Sequence, residues 1–189
     1  MRHTTMASQD EFRYELRIPK DRIGVLVGPG GQIKRAIERE AKVRLEIDSK
    51  EGEVTISSDD GLNIFIAKEV VRAISRGFNP DLALLLLKPD YAFEAISLID
   101  MIRNKNDLER IKGRVIGEEG KARRVIEDLT GAHISIYGKT IGILGEIEQV
   151  TTARRAIEML VEGSPHRNVY KFLERQHKVQ ARNEMIGKE

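Results

Sequence analysis

A chain of 189 residues, 40% hydrophobic and 33% charged, has room for one large or two small domains with apolar cores. It contains no cysteine, which excludes disulfides and thiolate zinc sites, and no apolar run approaches the length of a membrane-spanning helix. The formal net charge is only +2, so any attraction to a polyanion has to be local. With a polar Met1–Asp10 and no signal-like core, the protein is expected to be cytosolic.

In chain order, residues 1–10 are expected to form a disordered leader. Phe12 to Ile18 alternates apolar and polar residues, the pattern of a half-buried strand. Pro19 and Asp21 start a short helix carrying Ile23, Val25 and Leu26, which Gly28-Pro29-Gly30-Gly31 breaks. Gln32 to Glu40 resumes as helix with Ile33, Ala36 and Ile37 on its inner face. Val43, Leu45 and Ile47 predict a second strand, residues 48–52 a turn, and Val54 and Ile56 a third strand. Asn63 to Ser75 is a long helix by the spacing of Ile66, Ala67, Val70, Val71 and Ile74. The predicted order is βααββα.

After Gly77, Asn79 is a suitable N-cap for a helix starting at Pro80, and four consecutive leucines, 84–87, read as a buried connector between halves. The order then repeats. Tyr91 to Met101 is strand-like, although its alanines leave a helix open. Asp107 to Ile111 is a short helix, Lys121 to Leu129 a longer one, and Ile134 and Ile136 fall where Leu45 and Ile47 fell. Thr140 to Leu144 matches the third strand and Glu148 to Glu162 the last helix. Ser164-Pro165 starts a C-terminal helix whose apolar pattern fades beyond Gln176, so the last dozen residues are expected to fray.

The repetition is sharpest around two glycine pairs. A shift of 89 residues brings Gly24, Gly28, Gly31, Arg35, Ile37 and Glu38 onto Gly113, Gly117, Gly120, Arg124, Ile126 and Glu127. A single Gly-x-x-Gly is weak evidence in a chain with 16 glycines. Two copies, each between an apolar turn and an amphipathic helix, are much stronger. Glycine lets the backbone take positive φ, so that an anion can approach the N–H groups opening the next helix. The candidate phosphate-contacting set is therefore Lys20, Arg22, Gly28, Pro29, Gly30, Gly31, Lys34 and Arg35 in the first repeat. In the second it is Lys112, Arg114, Gly117, Glu118, Glu119, Gly120, Lys121, Arg123 and Arg124. Ile23, Val27, Ile33, Val115 and Ile116 are candidates for the wall of a shallow base groove.

Residues 20–44 carry seven basic and three acidic side chains, whereas residues 109–133 carry six and five. Glu118 and Glu119 repel phosphate, so the second loop is either a weaker clamp or a face for a basic partner. Rival motifs fail. A P-loop at Gly120 lacks the earlier glycine, because position 115 is Val, and a dinucleotide fingerprint from Gly28 meets Ile33. The four histidines show no ligand spacing, so no metal, cofactor or catalytic group is expected.

The grammar resembles the KH fold, whose Gly-x-x-Gly loop clamps the backbone of single-stranded nucleic acid. Gly77-Phe-Asn-Pro80 with the leucine run, Gly113-Arg-Val-Ile-Gly117-x-x-Gly-Lys121, residues 130–138 and Gly163-Ser-Pro-His166 with residues 169–173 carry a closer resemblance. They resemble the archaeal branch of the partner-of-NOB-one (Dim-two, KRR-one-like) family of ribosome-assembly proteins. The resemblance implies an α+β chain of two tandem type I KH domains, each a three-stranded antiparallel sheet with helices on one face, with connecting and C-terminal helices. It divides as leader 1–10, KH domain 11–77, connector helix 78–89, KH domain 90–163, and C-terminal helix and tail 164–189.

It further implies a non-catalytic protein that binds the single-stranded 3′ region of small-subunit (16S) ribosomal RNA precursor. Partners would include the endonuclease that trims that RNA and the alpha subunit of translation initiation factor two. The Gly-Ser-Pro-His element is expected to pack on the second module. Relatives with a degenerate first loop point to the second module, while charge points to the first, and the sequence leaves both in play. A protein-interaction scaffold with incidental RNA contact is the alternative reading, and an intrinsic nuclease has only unassigned carboxylates behind it.

Overall fold

Alternation of period two and then helical spacing, met twice along the chain, folds into two units whose boundary falls between Pro89 and Asp90. The structure is a computed structural model that describes residues 12–99 and 105–186. The leader expected at 1–10, and the end of the stretch read as Tyr91 to Met101, lie outside the described residues.

In the first unit, β1 (Phe12–Arg17) leads to α1 (Lys20–Val27), a 3₁₀ turn at Pro29–Gly31, α2 (Gln32–Ala41), β2 (Arg44–Asp48), β3 (Glu53–Ser58) and α3 (Gly61–Ser75). The antiparallel sheet has the order β1-β3-β2, with Leu16 opposite Val54 and Leu45 opposite Ile56. Leu26, Ile37, Leu45, Val54, Ile56, Val70 and Ile74 meet in its core, essentially without exposure. Burial of this kind contributes about 25 cal/mol per Å² of apolar area, which makes the sheet–helix contact the main source of stability. Asp60 caps α3 by accepting from Leu62 N at 2.9 Å. β1 is an edge strand and less buried than its alternation predicts: Phe12 and Tyr14 stay exposed, with the Lys68 ammonium over the Tyr14 ring.

Asn79 caps the helix at Pro80, accepting from Asp81 N at 3.0 Å. That helix, α4 (Pro80–Ala83), lasts one turn before Leu84–Leu87 tightens into 3₁₀ geometry. The leucine run packs on α3 and α2, so its burial belongs to the first unit's own core.

The second unit repeats the order with β4 (Tyr91–Ser97), α5 (Lys105–Ile116), a 3₁₀ turn at Glu118–Gly120, α6 (Lys121–Thr130), β5 (His133–Tyr137), β6 (Thr140–Glu146) and α7 (Ile147–Val161). The sheet order is β4-β6-β5, again antiparallel. Each unit is thus a three-stranded antiparallel sheet with helices, as the βααββα reading requires.

Two helices exceed their predicted lengths. α5 runs through Gly113, which is exposed and has no neighbour that a Cβ would meet. α8 (His166–Ile186) continues ten residues past Gln176, where fraying was expected. Val169 and Leu173 seat it in the core beside Ile126 and Ile157, and it packs on α6 and α7. Among the described residues no helix is long and apolar enough to cross a membrane.

Candidate nucleic-acid interface

Each Gly-x-x-Gly loop is built the same way. α1 ends at Gly28, whose N–H donates to Gly24 O at 2.9 Å, and Gly31 N donates back to Gly28 O at 3.0 Å. In the second unit Gly117 N donates to Gly113 O at 2.8 Å and Gly120 N to Gly117 O at 3.3 Å. The backbone angles coincide: φ is 70° at Gly28 and 73° at Gly117, then 77° at both Gly31 and Gly120. Between them, Gly30 at φ 54° corresponds to Glu119 at φ 49°. Glu119 therefore holds a left-handed conformation that costs a side chain about 1–2 kcal/mol.

The first glycine of each pair is also sterically required. A Cβ on Gly28 would lie 2.4 Å from Ile33 Cγ1, and one on Gly117 2.6 Å from Ala122 N. The loop folds down onto the helix it opens. No side chain caps the N-terminus of α2 or α6, whereas α3, α4 and α7 are capped by Asp60, Asn79 and a Glu146–Gln149 capping box. An uncapped N-terminus with its positive dipole end is the geometry that accepts a phosphate.

The basic side chains divide into two groups. Arg35 and Arg124 lie over the loops: the Arg35 guanidinium sits where it would meet a Cβ on Gly31, and Arg124 Nη2 donates to Glu119 O at 2.8 Å. One residue earlier on each helix, and so about 100° round it, Lys34 pairs with Glu38 at 3.7 Å and Arg123 with Glu127 at 3.1 Å. Lys121 is exposed at the start of α6. Gly28, Pro29, Gly30, Gly31, Lys34 and Arg35 thus form one cluster. Gly117, Glu118, Glu119, Gly120, Lys121, Arg123 and Arg124 form the other.

Lys20, Arg22, Lys112 and Arg114 stand apart from these clusters. Lys20 is exposed at the far end of α1, about 12 Å along the axis from Gly28 at 1.5 Å per residue. Lys112 is half-buried and pairs with Glu109 at 3.6 Å. Arg22 Nε donates to Ile74 O at 2.8 Å and its Nη2 to Phe78 O at 2.7 Å. Arg114 Nε donates to Leu160 O at 2.9 Å and its Nη2 to Ser164 O at 2.6 Å. These guanidinium forks are occupied by carbonyls at the end of α3 and of α7, and they fix each loop's first helix to the module's last. Arg114 is also where the Gly-Ser-Pro-His element docks, since His166 Nε2 lies 2.8 Å from Arg114 O. Replacing Arg114 with methionine keeps the apolar stem but strands two carbonyls, and is expected to cost about 2–3 kcal/mol. A urea midpoint unchanged at constant slope would show that the fork carries no stability.

Two expected groove residues are core instead: Ile23 is 6% exposed and Val115 0%. Helical spacing points both toward the sheet. Val27, Ile33 and Ile116 remain half-exposed beside the loops. Two carboxylates went unselected in the sequence. Glu38 Oε1 accepts from Leu45 N at 2.9 Å and Glu127 Oε1 from Ile134 N at 2.7 Å, so each ties the basic helix to the sheet's edge strand, β2 or β5. Their equivalence under the 89-residue shift was the available signal. Among the described residues no group of three or more His, Asp or Glu side chains could hold a metal ion.

Comparison with known proteins agrees with this geometry. A family model described as a eukaryotic type KH-domain (KH-domain type I) matches residues 92–178, and a KH domain model matches residues 13–73. A KH domain-containing protein of Methanocaldococcus jannaschii is 50% identical over 172 residues, covering 89% of this chain and 75% of the relative. The pre-rRNA-processing protein PNO1 of Coccidioides immitis is 30% identical over 173 residues, covering 87% and 68%. The chain belongs to the PNO1/Dim2 family of KH proteins.

Among solved structures, the PNO1/Dim2 fold recurs in a complex of a/eIF2alpha, aDim2p and rRNA from Pyrococcus horikoshii OT3. That Dim2 chain is similar with a TM-score of 0.82 and 44% identity, over 89% of this chain and 96% of that one. The PNO1/Dim2 match to the second module extends to residue 178 and so takes in the first half of α8, in keeping with the burial of Val169 and Leu173.

Proposed function

We propose that the protein is a non-catalytic, cytoplasmic RNA-binding protein of small-subunit ribosome maturation, and that it holds the single-stranded 3′ region of 16S ribosomal RNA precursor in its Gly-x-x-Gly clamps. The observation that carries this reading is the paired loop geometry: two positive-φ glycine turns, each opening an uncapped helix with an arginine over the turn. The clamps comprise Gly28 to Gly31 with Lys34 and Arg35, and Gly117 to Gly120 with Lys121, Arg123 and Arg124. Arg22 and Arg114 support them from behind. The solved relative bound to rRNA and a/eIF2alpha supports RNA and the alpha subunit of translation initiation factor two as partners; the endonuclease that trims the RNA is a further partner proposed on the family resemblance alone.

Glu118 and Glu119, both exposed, favour a second reading in which the second loop faces a basic protein and RNA contact is incidental. Binding of a labelled 3′-end single strand, beside a scrambled strand and a duplex, separates the two. A clamp on four nucleotides gives a slope of log K against log salt of about −3. Affinity for the single strand should exceed that for the duplex. Equal, salt-insensitive affinity for all three nucleic acids would move the function to the protein partner.

A further inference from the structure

Most described ion pairs within helices share one pattern, the exceptions being Arg39–Glu40 and Lys68–Glu69, which join neighbours. Lys34, Arg72, Arg110, Lys112, Arg123 and Arg154 are each bridged to an acid three or four residues away. α8 departs from it. Arg167, Lys171, Arg175, Lys178 and Arg182 are all exposed, and none makes a salt bridge among the described residues. Even Glu174, three residues after Lys171 and four before Lys178, bridges neither.

The spacing of the five cations is four, four, three and four residues. At 3.6 residues per turn they fall within an arc of about 80°, and they extend about 22 Å along the axis. Val169 and Leu173, both fully buried, lie on the opposite side and hold the helix to the core. The stripe therefore faces outward over its whole length. It has no acid inside its arc, with Glu174 just beyond one edge.

We propose that this stripe binds the phosphate backbone of a base-paired RNA stem adjoining the clamped single strand. The inference rests on the RNA-binding reading above and adds a second contact surface to it. Three observations favour a stem. First, the charge is of one sign along one face of a continuous helix and makes no salt bridge among the described residues, which suits evenly spaced phosphates. Second, no aromatic ring lies within the stripe. Tyr170 is half-buried with its edge toward His166 and Phe172 packs against the core, so stacking on unpaired bases is not offered. A duplex, whose bases are already stacked, presents the backbone alone. Third, the stripe starts at Arg167, next to His166, which contacts Arg114 only three residues before Gly117. An RNA leaving the second loop meets the stripe at its first cation.

The test uses the full chain and the variant Arg167→Gln/Lys171→Gln/Arg175→Gln, which retains helix-forming side chains and touches no loop residue. Four probes are compared: the 3′-end single strand, the same strand extended by a ten-base-pair hairpin, the hairpin alone, and polyglutamate of matched charge. The parent protein should bind the extended RNA about tenfold tighter than the single strand, with a salt slope steeper by about 3. The variant should lose that increment and keep its single-strand affinity and circular dichroism. An increment that survives the three substitutions overturns the proposal, as does the absence of any increment in the parent. Polyglutamate bound as tightly as the hairpin would also overturn it, by assigning the stripe to an acidic protein. Failure of the clamp reading shows separately, as loss of single-strand binding while the hairpin alone still binds the parent and not the variant.

Discussion

Glutamate at Gly30 is expected to weaken binding of single-stranded RNA about tenfold while leaving the fold intact, because it gives the first loop the acid that the second already carries. Gly30 has nothing within 4 Å of where its Cβ would be, so the added side chain meets no clash. Its φ of 54° costs a non-glycine residue about 1–2 kcal/mol, but Glu119 tolerates nearly the same angle at the equivalent position. Melting should fall by only several degrees. Glu119→Gly is the reciprocal variant: it relieves that strain and removes a negative charge from the second loop, so affinity should rise severalfold. The pair decides which module dominates. A loss confined to Gly30→Glu assigns the clamp to the first loop; a gain confined to Glu119→Gly assigns it to the second. If neither changes affinity, the loops do not carry the phosphate contact.

The second large effect is on stability. Gly117→Ala is expected to cost about 3 kcal/mol or more, by adding a left-handed alanine and an overpacked contact. The new Cβ would sit 2.6 Å from the Ala122 backbone nitrogen, and backbone cannot move aside as a long side chain does. Gly120→Ala provides the control. It has a similar φ, 77°, and open space at its Cβ, so it should cost only about 1–2 kcal/mol. Equal denaturation midpoints for the two variants would mean that the approach to Ala122 is relieved without cost.

Much of this architecture was legible before any coordinates, for definite reasons. Alternation at Val43, Leu45 and Ile47, with Ile134 and Ile136 in the matching places, marks strands, and the helices of both modules show their apolar spacing. The two glycine pairs stand out because a shift of 89 residues superposes them with their flanking cations. What was not legible depends on distant backbone. Nothing local marks Ile74 O or Ser164 O as an acceptor, so Arg22 and Arg114 looked like further phosphate ligands. Ile23 and Val115 looked like groove walls because nearness in sequence to a loop does not tell which side of the helix faces the sheet. The helix expected at Asp107 to Ile111 runs on through Gly113, since one interior glycine costs only about 1 kcal/mol, which the burial of Ile111 and Val115 offsets. In α8 the loss of apolar residues beyond Gln176 ends the packing but not the helix, because glutamine, alanine, lysine and arginine all favour it.

The arginine forks carry a consequence for how the two halves became different. Arg22 stands six residues before its loop glycine and Arg114 only three, about one helical turn apart, yet the carbonyls they grip correspond between modules. Position 111, where the 89-residue shift places Arg22, is a buried isoleucine; position 25, where it places Arg114, is valine. The same clasp is thus fastened from different rungs of the ladder. Equivalence by position and equivalence by role differ here, so a chimera exchanging α1 and α5 would carry an arginine aimed from the wrong height. The two modules are in this sense not spare parts: they share the carbonyl socket, and each fills it with an arginine from a different position.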